Sequence, residues 1–138
     1  KYKFINVLKN NSNKENWIVD DLDYAYHKAK QINKPIFIDF TGYACTNCRW
    51  MELNIFTLEE VKKLLDTNFV LVKLYTDGQR EVHRKNKNLE RNRFNTVALP
   101  YYVILSPDDE ILATFPGMDT NKNNFINFLE KGYEKFKE

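Results

Sequence analysis

The sequence is poor in the residues and runs that mark several special classes of protein. Among its 138 residues it has two cysteines, four prolines and four glycines. Two cysteines are too few for a disulfide-stapled scaffold, and the loop between Cys45 and Cys48 is too short to gain much stability from a bridge. The longest apolar stretch, residues 97–105, is far shorter than the roughly 18 residues of a membrane span, and it predicts a strand.

Charge of one sign is also lacking. Twenty-one basic and 19 acidic residues leave a net charge of +2, which is too small to indicate a nucleic-acid or membrane-surface partner. The region from residue 79 to 93 is rich in basic side chains, but acidic residues and asparagines alternate with them and aromatic residues are few. That pattern favours a solvated face over a nucleic-acid patch, so we expect no nucleic-acid partner.

What the chain does have is apolar and aromatic residues, 43% and 14% of the total, enough for the core of one domain without staples. It begins at Lys1 with no charged-then-apolar leader, so we treat it as a mature or excised part of a longer protein. We expect residues 1–16 to form an N-terminal arm or short strand, with the strand at residues 4–7, and residues 17–138 to form the domain.

The first half of the chain shows alternating helix and strand signals. A predicted helix begins after Asp20 or Asp21 and runs to about residue 32, where a proline soon follows. A buried strand is predicted at residues 36–40, and a helix that opens with the cysteine pair comes next. Thr57 and Glu60 have the spacing of a capping box, which predicts the start of another helix.

The second half predicts a strand at residues 69–75, a turn at Asp77 and Gly78, helix and loop at residues 79–93, and a hairpin of strands at residues 101–105 and 111–115. A last helix carries an apolar face made of Phe125, Phe128, Leu129, Gly132, Tyr133 and Phe136. The order β-α-β-α-α-β-α-β-β-α predicts an α/β fold in which helices flank a central mixed sheet.

The cysteine pair comes directly after a buried strand and opens a helix. Cys45 is expected at the helix N-terminus, where free backbone N–H groups and the helix dipole favour an anion and lower the pKa of a thiol. Cys48 is expected one turn further on the same face, close enough to attack Cys45. This arrangement predicts thiol-disulfide exchange, in which Cys45 attacks a substrate disulfide, a mixed disulfide forms, and Cys48 resolves it.

Two carboxylates have positions that suit proton transfer. Asp39 lies in the strand six residues before Cys45, and Glu52 lies four residues after Cys48 on the same helical face. A buried carboxylate beside Cys48 can accept its proton during resolution if burial raises the carboxyl pKa. Two alternatives stay open, in which Asp39 is a hydrogen-bonded group at a strand end and Glu52 is a solvated helix residue.

The remaining unusual residues have simpler interpretations. Pro100 stands at the start of a predicted strand, and a cis bond at a strand edge near a functional site is one way to accommodate it. A C-x-x-C pair can be half of a zinc site, but His27 and His83 are the only histidines and nothing in their spacing brings them together. We interpret both as ordinary helix or surface residues and Trp50 as a packing residue, and we predict no metal and no cofactor.

Together these features resemble the thioredoxin superfamily over roughly residues 17–137. Within it, the segments KPIFIDFTG (34–42) and CTNCRWME (45–52) most resemble the C-terminal thioredoxin-like domain of the thiol:disulfide interchange protein DsbD. The resemblance implies that residues 17–138 form a thioredoxin-like domain. It also implies that Cys45 is the exposed nucleophile and Cys48 the resolving thiol.

The resemblance assigns supporting roles as well. It implies that Asp39 and Glu52 tune Cys48. It further implies that the Leu99–Pro100 bond is cis and that the backbone at Leu99 pairs with the substrate chain.

The segment departs from thioredoxin itself, which has Trp-Cys-Gly-Pro-Cys. Here Ala44 precedes the first cysteine, the aromatic residue is Tyr43, and Thr46 and Asn47 separate the pair. We expect Tyr43 to lie on the substrate-binding face together with Leu99 and Pro100. The missing proline between the cysteines means that thioredoxin's strongly reducing potential does not carry over. The dipeptide alone does not decide between reduction, oxidation and isomerisation.

The predicted function is that of a protein-disulfide reductase, a DsbD-like electron-transfer domain. Electrons would arrive from a membrane-embedded donor domain and pass to extracytoplasmic proteins. The matching location is the periplasm, as a free protein or a domain of a membrane protein, and a cytoplasmic location stays open. We expect a monomer whose partners carry protein disulfides or dithiols. The alternative is a thioredoxin-fold binding or chaperone-like module with non-catalytic cysteines.

Overall fold

The computed structural model describes residues 16–138, in which five helices flank a five-stranded mixed sheet. In chain order the elements are β1 (Trp17–Val19), α1 (Leu22–Ile32), β2 (Ile36–Thr41), α2 (Thr46–Asn54), α3 (Glu59–Asn68), β3 (Val70–Tyr75), α4 (Glu81–Phe94), β4 (Tyr101–Leu105), β5 (Ile111–Pro116) and α5 (Lys122–Lys137). The predicted α/β fold is confirmed, and the order of its elements from α1 onward agrees with the prediction.

The sheet has the strand order β1-β3-β2-β4-β5, with β2 at its centre. Strands β1, β3 and β2 run parallel, whereas β4 runs antiparallel to both β2 and β5. All six residues of β2 are buried, as expected for a central strand covered on both faces. The register pairs Thr41 with Tyr75 and Phe40 with Tyr101. One edge of the sheet therefore gathers the end of β2, the end of β3 and the start of β4.

Each face of the sheet has its own apolar core. Because side chains alternate along a strand, Phe37 and Asp39 point to one face while Ile38 and Phe40 point to the other. The Phe37 face packs against residues of α2, α3 and α5, among them Met51. The opposite face packs against α1 and α4. Asp39 therefore lies on the face that the cysteine-bearing helix covers.

Local signals explain both ends of α1. The Asp21 carboxylate accepts the backbone N–H of Tyr24 at 3.1 Å and caps α1, as predicted. Asn33 ends the same helix in the left-handed conformation (φ 54°), and its N–H donates to the carbonyl of Ala29. The end of α1 is thus set by a left-handed cap as well as by the following proline.

Two elements begin at positions other than the predicted ones. The predicted capping box at Thr57 is wrong, because its hydroxyl donates to the carbonyl of Leu53 at 2.7 Å and α3 begins at Glu59 without a side-chain cap. The strand predicted at residues 4–7 lies outside the described residues. Strand β1 was not predicted, since its three residues are too few to show a pattern and it is defined by pairing with β3.

Candidate functional site

The two cysteines lie at the start of α2, at the edge of the sheet where β2 ends. Cys45 is the N-cap residue of the helix, and its sulfur accepts the backbone N–H of Cys48 at 3.1 Å. The two side chains are joined by a disulfide bond. Cys48 is buried, whereas Cys45 is partly exposed. The arrangement presents one sulfur to solvent and keeps the other inside the protein.

Asp39 is a buried carboxyl group on the central strand. It is 1% exposed, and neither carboxylate oxygen has a hydrogen-bond partner within residues 16–138. Burial, with a smaller contribution from the charge of Glu52, raises the pKa of Asp39 to about 7. No hydrogen bond within the described part of the chain supports the alternative of a hydrogen-bonded strand-end group. Asp39 can change its protonation state near neutral pH.

Glu52 belongs to a charged cluster beside Asp39. Its Oε2 atom lies 3.1 Å from Nη2 of Arg49, which also donates to Oγ1 of Thr41 at 2.9 Å. The Glu52 side chain is 22% exposed, so the alternative of a freely solvated helix residue does not describe it. Lys73 of β3 pairs in register with Asp39, and the positive charges of Lys73 and Arg49 oppose the rise of the Asp39 pKa.

A surface pocket connects this cluster with solvent. Glu52 and Lys73 both line it, and the Lys73 ammonium lies over the ring of Trp17, 5.0 Å from its centre. The pocket gives water access to the charged neighbours of Asp39, although Asp39 itself is buried.

The residues expected to face a substrate surround the same sheet edge. The Leu99–Pro100 peptide bond is cis, and Leu99 lies next to Gly42 of the segment that leads to Cys45. Tyr43 is 55% exposed, and its ring stacks on Tyr75 with centres 4.0 Å apart and planes inclined by 14°. Tyr43 therefore offers one open aromatic face two residues before the exposed cysteine.

Both histidines lie in helices, as one of the two interpretations expected, His27 in α1 and His83 in α4. His27 is exposed, but His83 is not a surface residue. His83 is only 3% exposed. Its Nε2 atom lies 3.2 Å from Oδ2 of Asp20 and 3.5 Å from the hydroxyl of Tyr43. Asn86 completes the group by donating to the Asp20 carboxylate at 3.0 Å. The histidine is buried because α4 packs this face against the end of β3.

Asp77 is a further residue of the site that the sequence did not reveal. Its Oδ1 and Oδ2 atoms accept the backbone N–H groups of Tyr43 and Ala44 at 2.8 and 3.0 Å. In the sequence, Asp77 indicated only a turn. Asp77 follows the end of β3 by two residues, and β3 runs parallel to β2. Because parallel strands end on the same side of a sheet, this position could have indicated that Asp77 lies near the cysteine pair.

No three histidine, cysteine, aspartate or glutamate side chains gather into a possible metal site within residues 16–138. The same part of the chain contains no helix that is both long and apolar enough to cross a bilayer. The site consists of a cysteine pair with polar groups on either side of it.

Comparison with known proteins agrees with this geometry. The sequence profile of a family described as thioredoxin-like matches residues 17–107. The chain belongs to the thioredoxin-like family. This confirms the predicted superfamily.

Solved structures of thioredoxin-like proteins share the fold. A thioredoxin from Thermus thermophilus superimposes with a TM-score of 0.69 at 20% identity, covering 83% of this chain and 84% of that one. The reduced C-terminal domain of Neisseria meningitidis DsbD gives 0.67 at 18% identity, covering 83% of this chain and 99% of that domain. A DsbH oxidoreductase gives 0.66 at 22% identity, covering 80% and 79%. DsbD C-terminal domains are thus among the structures that this thioredoxin-like chain is similar to.

Two curated relatives are much longer proteins. The Caenorhabditis elegans protein B0495.5 is 32% identical over 84 residues, which is 61% of this chain and 12% of that protein. Human spermatogenesis-associated protein 20 is 31% identical over 84 residues, or 61% of this chain and 11% of that protein. The thioredoxin-like chain spans about a tenth of the length of these relatives.

Proposed function

We propose that this protein is a thiol-disulfide oxidoreductase that reduces protein disulfides by dithiol exchange through Cys45 and Cys48. The observation that carries the proposal is the asymmetry of the pair. Cys45 is partly exposed at a helix N-terminus, Cys48 is buried, and the Asp39 carboxyl group, which has no hydrogen-bond partner among residues 16–138, lies on the sheet face that the helix covers. A purely structural disulfide needs none of these features.

The reaction starts from the reduced pair. The Cys45 thiolate attacks one sulfur of a substrate disulfide, a Cys45–substrate disulfide forms, and the first substrate sulfur leaves as a thiolate that takes up a proton. The N–H of Cys48, which donates to the Cys45 sulfur at 3.1 Å, stabilises the attacking anion. This step makes Cys45 the nucleophile.

Resolution requires a second thiolate. The Cys48 thiol transfers its proton to Asp39, and the resulting thiolate attacks the Cys45 sulfur. The Cys45–Cys48 disulfide forms, the second substrate sulfur leaves, and two electrons have passed from the protein to the substrate. A carboxyl group with a pKa of about 7 can accept this proton and release it again near neutral pH.

Glu52 is proposed to support this proton transfer. Its negative charge raises the pKa of Asp39, and its position in the pocket that also holds Lys73 gives the proton a route to solvent. We assign substrate contact to Tyr43, with its exposed face, and to the segment at Leu99 and Pro100 beside it.

We further propose a DsbD-like role, in which a membrane-embedded donor supplies electrons and the protein passes them to extracytoplasmic proteins in the periplasm. The similarity to the C-terminal domain of DsbD and the segment CTNCRWME (45–52) support this role. The proposed partners are protein disulfides and dithiols, and the proposed state is a monomer.

The test combines an activity assay with a trapping experiment. The reduced protein is expected to reduce insulin disulfides, and Cys45→Ser is expected to abolish the reaction. Cys48→Ser is expected to accumulate a one-to-one mixed disulfide through Cys45, detected by mass spectrometry. No insulin reduction, together with a Cys45 pKa near the ordinary thiol value of about 8.5, would instead indicate a binding module with non-catalytic cysteines.

A further inference from the structure

The segment that delivers Cys45 to the helix is a tight turn, residues 42–45, which we call the redox turn. The N–H of Cys45 donates to the carbonyl of Gly42 at 3.3 Å and closes it. Tyr43 and Ala44 occupy the two central positions, and both of their N–H groups donate to the carboxylate of Asp77, at 2.8 and 3.0 Å. One side chain thus holds both central amides of the turn.

The sheet places Asp77 against the redox turn. Strands β2 and β3 pair in parallel up to Thr41 and Tyr75, and the N–H of Thr76 continues the contact by donating to the carbonyl of Thr41 at 3.0 Å. The approach is so close that a Cβ atom on Gly42 would lie 2.8 Å from Oδ2 of Asp77. A residue larger than glycine at this position must displace the carboxylate.

The side-chain contacts of the turn reinforce the backbone contacts. The Tyr43 ring stacks on Tyr75, and its edge contacts His83 at 5.6 Å between ring centres. The backbone N–H groups of Ala44 and Tyr43 outweigh partial burial and hold the pKa of Asp77 below its usual range. Asp77 therefore stays charged at the pH at which the cysteines react.

We propose that Asp77 is a positioning residue of the redox site, which fixes the redox turn so that the Cys45 sulfur stays at the N-terminus of α2 and close to Cys48. The proposal rests on the proposed function, because a positioning role matters only if the pair reacts. The property that it predicts, the equilibrium between disulfide and dithiol, belongs to Cys45 and Cys48 alone. A fixed turn raises the effective concentration of one sulfur at the other and stabilises the disulfide. A nearby anion also disfavours the Cys45 thiolate of the reduced form.

Both consequences favour the disulfide over the dithiol, so removing Asp77 is expected to shift the equilibrium toward the dithiol. Asp77→Ala is expected to shift the equilibrium with glutathione toward the reduced pair by about 10-fold, which corresponds to roughly 30 mV for two electrons. Asp77→Asn keeps one acceptor oxygen and is expected to shift it less. Asp108→Ala removes an exposed aspartate at the opposite end of the sheet and is expected to leave the equilibrium unchanged.

A second variant keeps the test decisive if Asp77→Ala folds poorly. Gly42→Ala is expected to shift the equilibrium in the same direction, because its new Cβ would lie 2.8 Å from Oδ2 of Asp77, with Cδ1 of Leu99 next at 3.0 Å. It is expected to add little when combined with a substitution of Asp77, since both changes disturb the contact of Asp77 with the turn. Amide hydrogen exchange at Tyr43 and Ala44 is expected to accelerate in each variant.

The proposal is overturned if the glutathione equilibrium of an Asp77 variant (Asp77→Ala, or Asp77→Asn if Asp77→Ala folds poorly) and that of Gly42→Ala both stay within two-fold of the wild type. Unchanged amide exchange at Tyr43 and Ala44 in these variants also overturns it. Glutathione equilibration reports on the pair whether or not the protein reduces other proteins. A failed insulin assay would therefore contradict the proposed function and leave the role of Asp77 to be decided by its own measurement.

Discussion

Two aspartates near the ends of the neighbouring strands β2 and β3 meet opposite surroundings. Asp39 is buried without a hydrogen-bond partner among the described residues, and its pKa rises to about 7. Asp77 is exposed and accepts two backbone N–H groups, and its pKa falls below the usual range. Desolvation favours the neutral form of a carboxyl group, whereas hydrogen bonds to its oxygens favour the charged form.

The difference matches the two roles that we propose for these aspartates beside the cysteine pair. A carboxyl group that titrates near neutral pH can exchange a proton, but without hydrogen bonds it cannot hold its neighbours in place. A carboxylate that stays charged and fully bonded can hold a backbone turn, but it is a poor proton acceptor. The structure places the first kind beneath the helix of Cys48 and the second kind beside the turn before Cys45.

The largest expected effect comes from removing the carboxyl group that we propose as the proton acceptor, Asp39. Asp39→Asn is expected to slow the resolution of a mixed disulfide at pH 8 by about 100-fold, because general-base assistance from one side chain is typically that large. Asp77→Asn, which leaves Asp39 in place, is expected to slow this step by less than about 10-fold. Rapid-mixing measurement of mixed-disulfide decay compares the two, and similar losses would contradict the division of roles.

The same substitution is expected to raise stability at high pH. The folded protein holds the Asp39 proton up to about pH 7, whereas the unfolded chain releases it near pH 3.8, so stability falls as the pH rises through this window. Asp39→Asn removes the penalty and is expected to gain on the order of 4 kcal/mol at pH 8 and little at pH 3. Urea unfolding at both pH values measures the difference, and an equal gain at pH 3 would argue against a titrating Asp39.

A second buried carboxyl group offers a matched control on α4. Glu90 is fully buried, neither oxygen has a partner within residues 16–138, and burial raises its pKa from 4.5 to about 8. Ionisation of Glu90 is therefore expected to lower the free energy of unfolding as the pH rises from about 4.5 to 8. Glu90→Gln is expected to make this decrease smaller. Unlike Asp39→Asn, it should leave the rate of disulfide exchange within two-fold of wild type; a large loss of rate would show that burial alone does not distinguish the two carboxyl groups.

The smallest expected effect concerns Tyr102, which faces Asp39 across β4 and β2. Its hydroxyl is buried without a hydrogen-bond partner in the described part of the chain. Tyr102→Phe removes an unsatisfied polar group, so stability is expected to stay constant or rise by up to about 1 kcal/mol. A loss of more than that in thermal or urea unfolding would reveal a hydrogen bond at this hydroxyl.

The sequence predicted what local pattern controls. The order of elements follows from periodicity and turn residues, and the place of Cys45 and Cys48 follows from a strand that leads directly into a helix. The burial of Asp39 follows from its position in a run of apolar β-favouring residues. These features depend on neighbours within a few residues.

The sequence did not predict what depends on register between distant segments. Asp77 meets the redox turn 33 residues away because β2 and β3 pair in one register, and His83 meets Asp20 across 63 residues. No local pattern contains such contacts. The spacing of Thr57 and Glu60 fits a capping box, but the hydroxyl bonds backwards to Leu53 instead.

The most direct test of the central claim is the pH dependence of single-turnover insulin reduction by the dithiol protein. The wild type is expected to show an inflection near pH 7 from the Asp39 carboxyl group, in addition to that of the Cys45 thiol. Asp39→Asn is expected to lose the first inflection and keep the second. The same two inflections in Asp39→Asn would contradict the account that Asp39 takes the proton of Cys48.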